Sequence, residues 1–392
     1  MLSWGKLTHG FSKPTVHSVS GVLAPFAMRD EDSRGRRHPE AAHPYRTEFQ
    51  RDRDRVVHTK AFRRLENKTQ VFAPLFSDHF RTRLTHTLEV TQVSTTIARA
   101  LGLNVDLCEV LALSHDIGHP PFGHEGEKVL DKIMKKHGSG FDHNLHALRI
   151  VEDFEVKYPA FRGLNLTYEV REGIVKHSSD WQDSTRSYID LSEYEPGVKP
   201  PLEAQVIDLA DEIAYNAADL DDGYRSGLLG AQLIQEEVPL FESLSQTVRN
   251  EHPRAPERIW VGETLRRLID FLVTDLIEFT WSEIRDRGVQ SVEDVRRQNT
   301  QIVSLSRATT RLNQSLKRFL NKRLYANPAL RQARLSAREL IGKLFGYYLL
   351  NPQALPEHHR SRLRDSRLPR VVCDYIAGMT DGFAQQQLGK IR

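Results

Sequence analysis

The residues of this chain best suited to chemistry are His115 and Asp116, adjacent at the end of the apolar run VDLCEVLALSHD. An imidazole and a carboxylate side by side can both reach one divalent cation, and mixed nitrogen and oxygen ligation suits first-row metals rather than Ca2+. Chance alone produces such a dipeptide, so its surroundings must decide. His86 falls on a helical pattern at 79–101, on the face of Val90, Val93 and Ile97. Taken alone it reads as a core histidine satisfied by a neighbour. Asp211 lies within VIDLADEIAYNAADLDDG, where Val206, Ile207, Ala210, Ile213, Ala214 and Ala217 mark a buried side. A carboxylate beside that stripe needs a partner, because an unpaired buried charge is costly. A salt bridge is the plain explanation and a metal the sharper one. Asp211, Tyr215 and Asp219 follow at i, i+4 and i+8, hence on one face. They form a row about 12 Å long at the usual helical rise. Such a row could meet a metal, a sugar and a base edge in turn, or be a charged stripe facing solvent.

The segment HDIGHPPFGHEGE adds His119, His124 and Glu127 on a turn stiffened by Pro and Gly. His124 and Glu127 stand at i, i+3 where a new helix can begin. A carboxylate beside an imidazole fixes its tautomer and raises its basicity, as acid–base catalysis requires. The pattern is not HExxH, since no second His follows Glu125 at the required place. Arg83 precedes His86 by three residues, so both project to the same side. A guanidinium beside a metal suits a phosphate, which it grips in a bidentate way, although alone it would pass for a surface arginine.

These residues need rigid elements, and the sequence supplies helices. One amphipathic helix is expected over 47–65, with Phe49, Val56, Val57, Phe62 and Leu65 on its stripe, and another from Asp78 to Leu101. A short apolar helix over 105–115 must end at Gly118 and Pro120-Pro121. A further helix runs from about Gly123 to His137, and others fit 143–156, 167–178 and 201–221. Gly223 reads as the stop of the last of these. Beyond Gly230, ETLRRLIDFLVTDLIEFTWSEIRDRG, RATTRLNQSLKRFLNKRLY, SARELIGKLFGYYLL and PRVVCDYIAGMTDGFAQQQ are helical too. Strand signals are few and no internal repeat is seen. The expected organisation is an irregular N-terminal arm at 1–45, a helical core at 46–230 and a C-terminal helical domain at 231–392.

Composition bounds the rest. Hydrophobic residues make up 39% and charged residues 27%, as in an ordinary soluble protein, and the formal charge of +3 leaves only local basic clusters to attract anions. RDEDSRGRRHPEAAHPYR carries both signs and reads as a solvated arm. Two distant cysteines, Cys108 and Cys373, make no disulfide framework, and Cys108 reads as a core residue. No signal-peptide run or membrane span of roughly 20 apolar residues is found. A cytoplasmic protein without a membrane partner is expected.

Taken in order, FRRLENKTQV, RTRLTHTLEV, ALSHDIGHPPFGHEGE, FDHNLHALRIVE, LADEIAYNAADLDDG and VVCDYIAGMTDGFA resemble the HD-domain deoxynucleoside triphosphate triphosphohydrolases, which include the dGTPase-like proteins. The likeness covers most of residues 45–385. It implies an all-α HD-domain core with an additional C-terminal helical region. It also implies hydrolysis of a dNTP to a deoxynucleoside and inorganic triphosphate. One divalent ion per site, Mn, Fe, Co, Ni, Zn or Mg, would be held by His86, His115, Asp116 and Asp211. His124 and Glu127 would be catalytic. Gln70 and Asp219 would bind the deoxyribose, against which Tyr215 packs so as to clash with a 2′-hydroxyl. Arg83, His143 and Lys176 would meet the phosphates. His119 and Pro120 vary in the family and carry no assigned role, and His146 stands where Gln is common. Effector nucleotides are common among relatives, which are often hexamers or tetramers, so a homo-oligomer is expected. Single-stranded nucleic acid is a further candidate partner through RGRRHPEAAHPYR, RDRDR and the basic C-terminal helices, although interleaved acids dilute that field. Two other readings compete. An HD phosphodiesterase or 5′-nucleotidase shares the metal set but lacks PPFGHEGE and DEIAYNAADLDDG. A nucleotide- or nucleic-acid-binding protein would show little turnover.

Overall fold

The computed structural model describes residues 23–70, 80–177 and 188–391. Among them the fold is all-α, with isolated bridges but no strand. The helix expected over 47–65 is two: α1 (Glu48–Val57) and α2 (Lys60–Arg64). Thr59 makes the corner. Its hydroxyl donates to the Val56 carbonyl at 2.7 Å and accepts from Phe62 N at 2.9 Å, capping α2. α3 (Arg83–Leu101) opens on a capping box built by Thr82 and closes on Gly102 at φ +68°. Its expected start at Asp78 lies outside the described residues. α4 (Val105–Ser114), capped by Asn104, α5 (Gly123–Lys136) and α6 (His143–Arg149) follow. α6 runs on through a wider turn at 150–154. α7 (Tyr168–Val175) and α8 (Leu202–Arg225) complete the set that carries the candidate residues.

α8 does not stop at Gly223, as its sequence suggests. It passes through that residue to Arg225. A Cβ at Gly223 would stand 2.6 Å from Leu229 Cδ1 and 3.3 Å from Leu324 Cδ1, so this glycine admits close packing and does not terminate the helix.

α9 (Ala231–Glu237), α10 (Pro239–Glu251), the long α11 (Glu257–Asp286), α12 (Val292–Arg296) and α13 (Arg307–Phe319) follow; α11 packs on α3 and α8, and α10 packs on α9, α11 and α13. α14 (Pro328–Leu350), the short α15 (Glu357–Arg360), α16 (Leu368–Ala377) and α17 (Asp381–Lys390) end the chain. The last expected helix is thus two, broken at Gly378.

The buried apolar residues form two clusters. The larger runs from Phe26 to Leu330 and contains α3, α4 and α8. The smaller joins Leu130 and Met134 of α5 to Ile341, Leu344, Val372 and Ile376. Cys108 and Cys373 are both buried free thiols. Residues 23–46 carry no helix, yet Phe26, Ala27 and Met28 are buried. Met28 N and Asn104 N both donate to Glu203 Oε1, at 2.9 and 3.0 Å. Arg36 is not solvated, as a free arm would require. Its side chain is nearly covered and ion-paired to Asp52 and Glu48. A charge removed from water needs such partners.

Candidate metal centre and active site

Three helices bring His86, His115 and Asp211 into one group, with Asp116 at its edge beside His115. α3 supplies His86, the end of α4 supplies His115 and Asp116, and α8 supplies Asp211. His86 Nε2 lies 2.8 Å from Asp211 Oδ1. His115 Nε2 lies 3.5 Å from Asp116 Oδ1 and 3.9 Å from Asp211 Oδ1. Donor atoms of His86, His115 and Asp211 all fall within 4.8 Å of one another, a spacing one cation could span.

The donor chemistry fits a metal. His115 Nδ1 faces the Ala112 carbonyl at 2.6 Å, which assigns the ring proton to that nitrogen and leaves Nε2 as a lone pair. That Nε2 is buried and has no hydrogen-bond partner. Burial also lowers the pKa of His115 and keeps the ring neutral, as a ligand must be. Burial works against charge on His86, but Asp211 prevails and raises it. A bound cation would take the place of that shared proton. Burial likewise opposes ionisation of Asp116, yet His115, Arg83 and His119 hold its carboxyl well below the usual range.

Arg83 is nearly completely buried, and its Nη1 donates to Asp116 Oδ2 at 2.8 Å. Its Nη2 and Nε have no partner. Buried donors are ordinarily satisfied, so two spare ones beside the ligand cluster suit an anion. Gly123, at φ +55°, lies against this guanidinium, and a Cβ there would stand 2.7 Å from Nη2.

A second group adjoins the first. Glu127 Oε1 accepts from His143 N at 2.9 Å and lies 2.7 Å from His143 Nδ1, while Oε2 lies 3.4 Å from His124 Nδ1. Burial disfavours charge on His143, but Glu127 outweighs it and pushes the imidazole up to about 9. His124 has 70% of its side chain exposed. His119 joins the two groups: its Nε2 is 3.1 Å from Asp116 Oδ1, and its ring stacks on His143 at 3.9 Å. Burial, with Arg83 nearby, keeps His119 well below its ordinary pKa and hence neutral. The turn between the groups depends on Gly118, where a Cβ would collide with the backbone of His143 and Ala147.

The α8 row is not a solvent-facing stripe. Asp219 is buried and accepts from the Tyr325 hydroxyl. Burial pushes its carboxyl up to about 7. Tyr215 is partly buried between these acids. Gln70 is partly buried with an unpartnered Oε1. Lys176 is held elsewhere, by Glu172 at 2.8 Å and the Val198 carbonyl at 2.7 Å. Its neighbour His177 instead approaches the centre. The His177 ring is 5.4 Å from that of His115, and its Nδ1 is 2.8 Å from Asp208 Oδ1. The sequence reading missed His177, Asp208 and Tyr325. Asp208 stands one turn before Asp211, a signal that was available. Tyr325 comes from the extension of α13, and no local pattern marks it.

This fold and donor set agree with two family models. Residues 83–216 match the HD domain and 303–390 match the phosphohydrolase-associated domain. The chain is 45% identical over 369 residues to a deoxyguanosinetriphosphate triphosphohydrolase-like protein of Geobacter sulfurreducens, with 94% of each chain covered. It is 46% identical over 366 residues to the protein of that name from Azoarcus sp. strain BH72, covering 93% of this chain and 95% of that one. For Caulobacter sp. strain K31 the figures are 45% over 379 residues, with 94% and 96% covered. The helical core is that of an HD-domain hydrolase. More narrowly, the chain belongs to the deoxyguanosinetriphosphate triphosphohydrolase-like family. No helix among the described residues is long and apolar enough to cross a membrane.

Proposed function

We propose that the chain hydrolyses a deoxynucleoside triphosphate to the deoxynucleoside and inorganic triphosphate, with one divalent cation held by His86, His115, Asp116 and Asp211. The observation that carries this reading is the contact, through His119, between that donor cluster and the His124–Glu127–His143 group. A bound cation supplies Lewis acidity, offsetting charge on phosphoryl oxygens and making a water more acidic. The rest falls to the protein. The spare Nη2 and Nε of Arg83 bind phosphoryl oxygens where charge builds. His143, charged through Glu127, adds a second cation for the triphosphate. His124, oriented by Glu127, moves a proton at the 5′-oxygen that leaves the α-phosphorus or at the water that attacks it. Tyr215, Asp219 and Gln70 line the deoxyribose. Lys176 joins the phosphate contacts only by releasing Glu172.

Product analysis with each of the four dNTPs tests this reading. Inorganic triphosphate should appear, and dGMP and cyclic nucleotides should remain intact. His124→Ala should lose about 10²- to 10⁴-fold in turnover, the usual contribution of a positioned acid or base, with its metal content unchanged. Normal turnover in that variant removes His124 from the mechanism. A homo-oligomer, an effector nucleotide and single-stranded nucleic acid as partners belong to the same reading. Mass measurement in solution, assays of paired dNTPs and binding at two salt concentrations test them.

A further inference from the structure

We propose that Asp381, the first residue of α17, is a positioning residue that sets the two backbone segments flanking the active centre. The role rests on the activity proposed above. Asp381 is buried, and its carboxylate meets three donors from distant parts of the chain. Oδ1 accepts from Phe122 N at 2.9 Å. Oδ2 accepts from Thr69 N at 2.9 Å and from the Thr69 hydroxyl. Lys68 closes the same junction from the other side: its ammonium donates to the His119 carbonyl and lies 3.5 Å from that of Ala377.

What these bonds hold is specific. Phe122 has φ +63°, a conformation that a residue other than glycine keeps only when its surroundings impose it. It is followed by Gly123, which lies against Arg83, and by His124. Thr69 precedes Gln70 and bridges to Thr82, and the Lys68 carbonyl accepts from Arg83 N at 3.1 Å. A single carboxylate from the C-terminal region therefore fixes the turn that aims His124 and the segment that seats Gln70 and the start of α3. A carboxylate suits the place because all three partners are donors and it can only accept. An asparagine would turn an NH2 toward at least one of them.

The test compares wild type with Asp381→Asn, reading amide hydrogen exchange by mass spectrometry together with kcat, KM and metal content. Exchange should rise in peptides covering 68–70 and 120–126 and stay unchanged elsewhere. kcat should fall about 10- to 100-fold, the scale of an ångström-level misplacement, and KM should rise as the segment seating Gln70 loosens, with metal content little altered. Thr69→Val, which removes one of the three bonds, should show a smaller fall, and Thr69→Ser should restore it. Should Asp381→Asn not fold, the Thr69 pair carries the test. Wild-type protection and kcat in Asp381→Asn would overturn the proposal. So would a uniform rise in exchange with loss of metal, which marks a merely structural residue. If wild type hydrolyses no dNTP, the proposed activity fails, while the exchange measurement still judges the clamp.

Discussion

At the scale of the residue, the centre is organised by where protons are not. His115 gives its one ring proton to the Ala112 carbonyl, so its second nitrogen can serve only as an acceptor. Asp211 faces both His115 and His86. Replacing Asp211 by Ala removes the sole carboxylate from α8 in the cluster, and His86 loses its 2.8 Å partner. Metal affinity should fall by more than the 10- to 100-fold that changes around a ligand bring. Elemental analysis of the purified variant checks this, and full occupancy would remove Asp211 from the ligand set. His86, His115 and Asp211 were legible as candidates because metal ligation needs particular residue types. Their convergence was not legible, since helical periodicity gives a side chain's face but not what it faces. His119 shows the limit. As a position that varies in the family it carried no assigned role, yet it joins the two groups.

At the scale of the element, α8 supplies two tests. Gly223 looked like a helix stop because glycine favours C-termini. Its tertiary neighbours Leu229 and Leu324 account for it instead. Gly223→Ala gains about 1 kcal/mol of helix propensity but overpacks Leu229, a cost of about 1–3 kcal/mol, so it should be neutral to destabilising. Gly262→Ala in α11 meets nothing within 4 Å and should stabilise by about 0.5–1 kcal/mol. Urea midpoints distinguish the two, and equal gains would show that Leu229 leaves room for a methyl group at position 223. The first turn of α8 gives a pH effect. Burial pushes Glu203 from the ordinary 4.5 up to about 7. Its folded pKa lies above its unfolded one, so its stabilising contribution is complete below about 4.5 and is lost as pH rises to about 7. A shift of that size is on the order of 3 kcal/mol. Glu203→Gln removes the titration. The melting temperature of wild type should therefore fall relative to the variant between those pH values, and a constant difference would contradict the shift. The corner at Thr59 and the break at Gly378 escaped the sequence reading for one reason. Both interrupt apolar stripes that continue on either side, and a periodicity count averages over a single turn.

At the scale of the molecule, the C-terminal region was legible as helices but not as part of the site. α5 shows why the two belong together. Its first turns carry His124 and Glu127, while Leu130 and Met134 further along are buried in the second cluster against α14 and α16. His124 and Glu127 thus stand on a helix whose apolar partners come from the end of the chain. Arg149 of α6 and Asp374 of α16 add a partly buried ion pair across the same junction. Coupling of this kind predicts that the chain unfolds as one unit. Ile341 tests it, since it is fully buried in α14 and its Cδ1 would stand 3.2 Å from a Cβ at Gly126. Ile341→Ala should cost about 2–5 kcal/mol through the cavity it leaves. If α5 ties the clusters together, calorimetry of wild type and variant should each show a single endotherm, the variant's several degrees lower. Two endotherms, with only one displaced by the substitution, would mean that the C-terminal helices fold independently of the centre they adjoin.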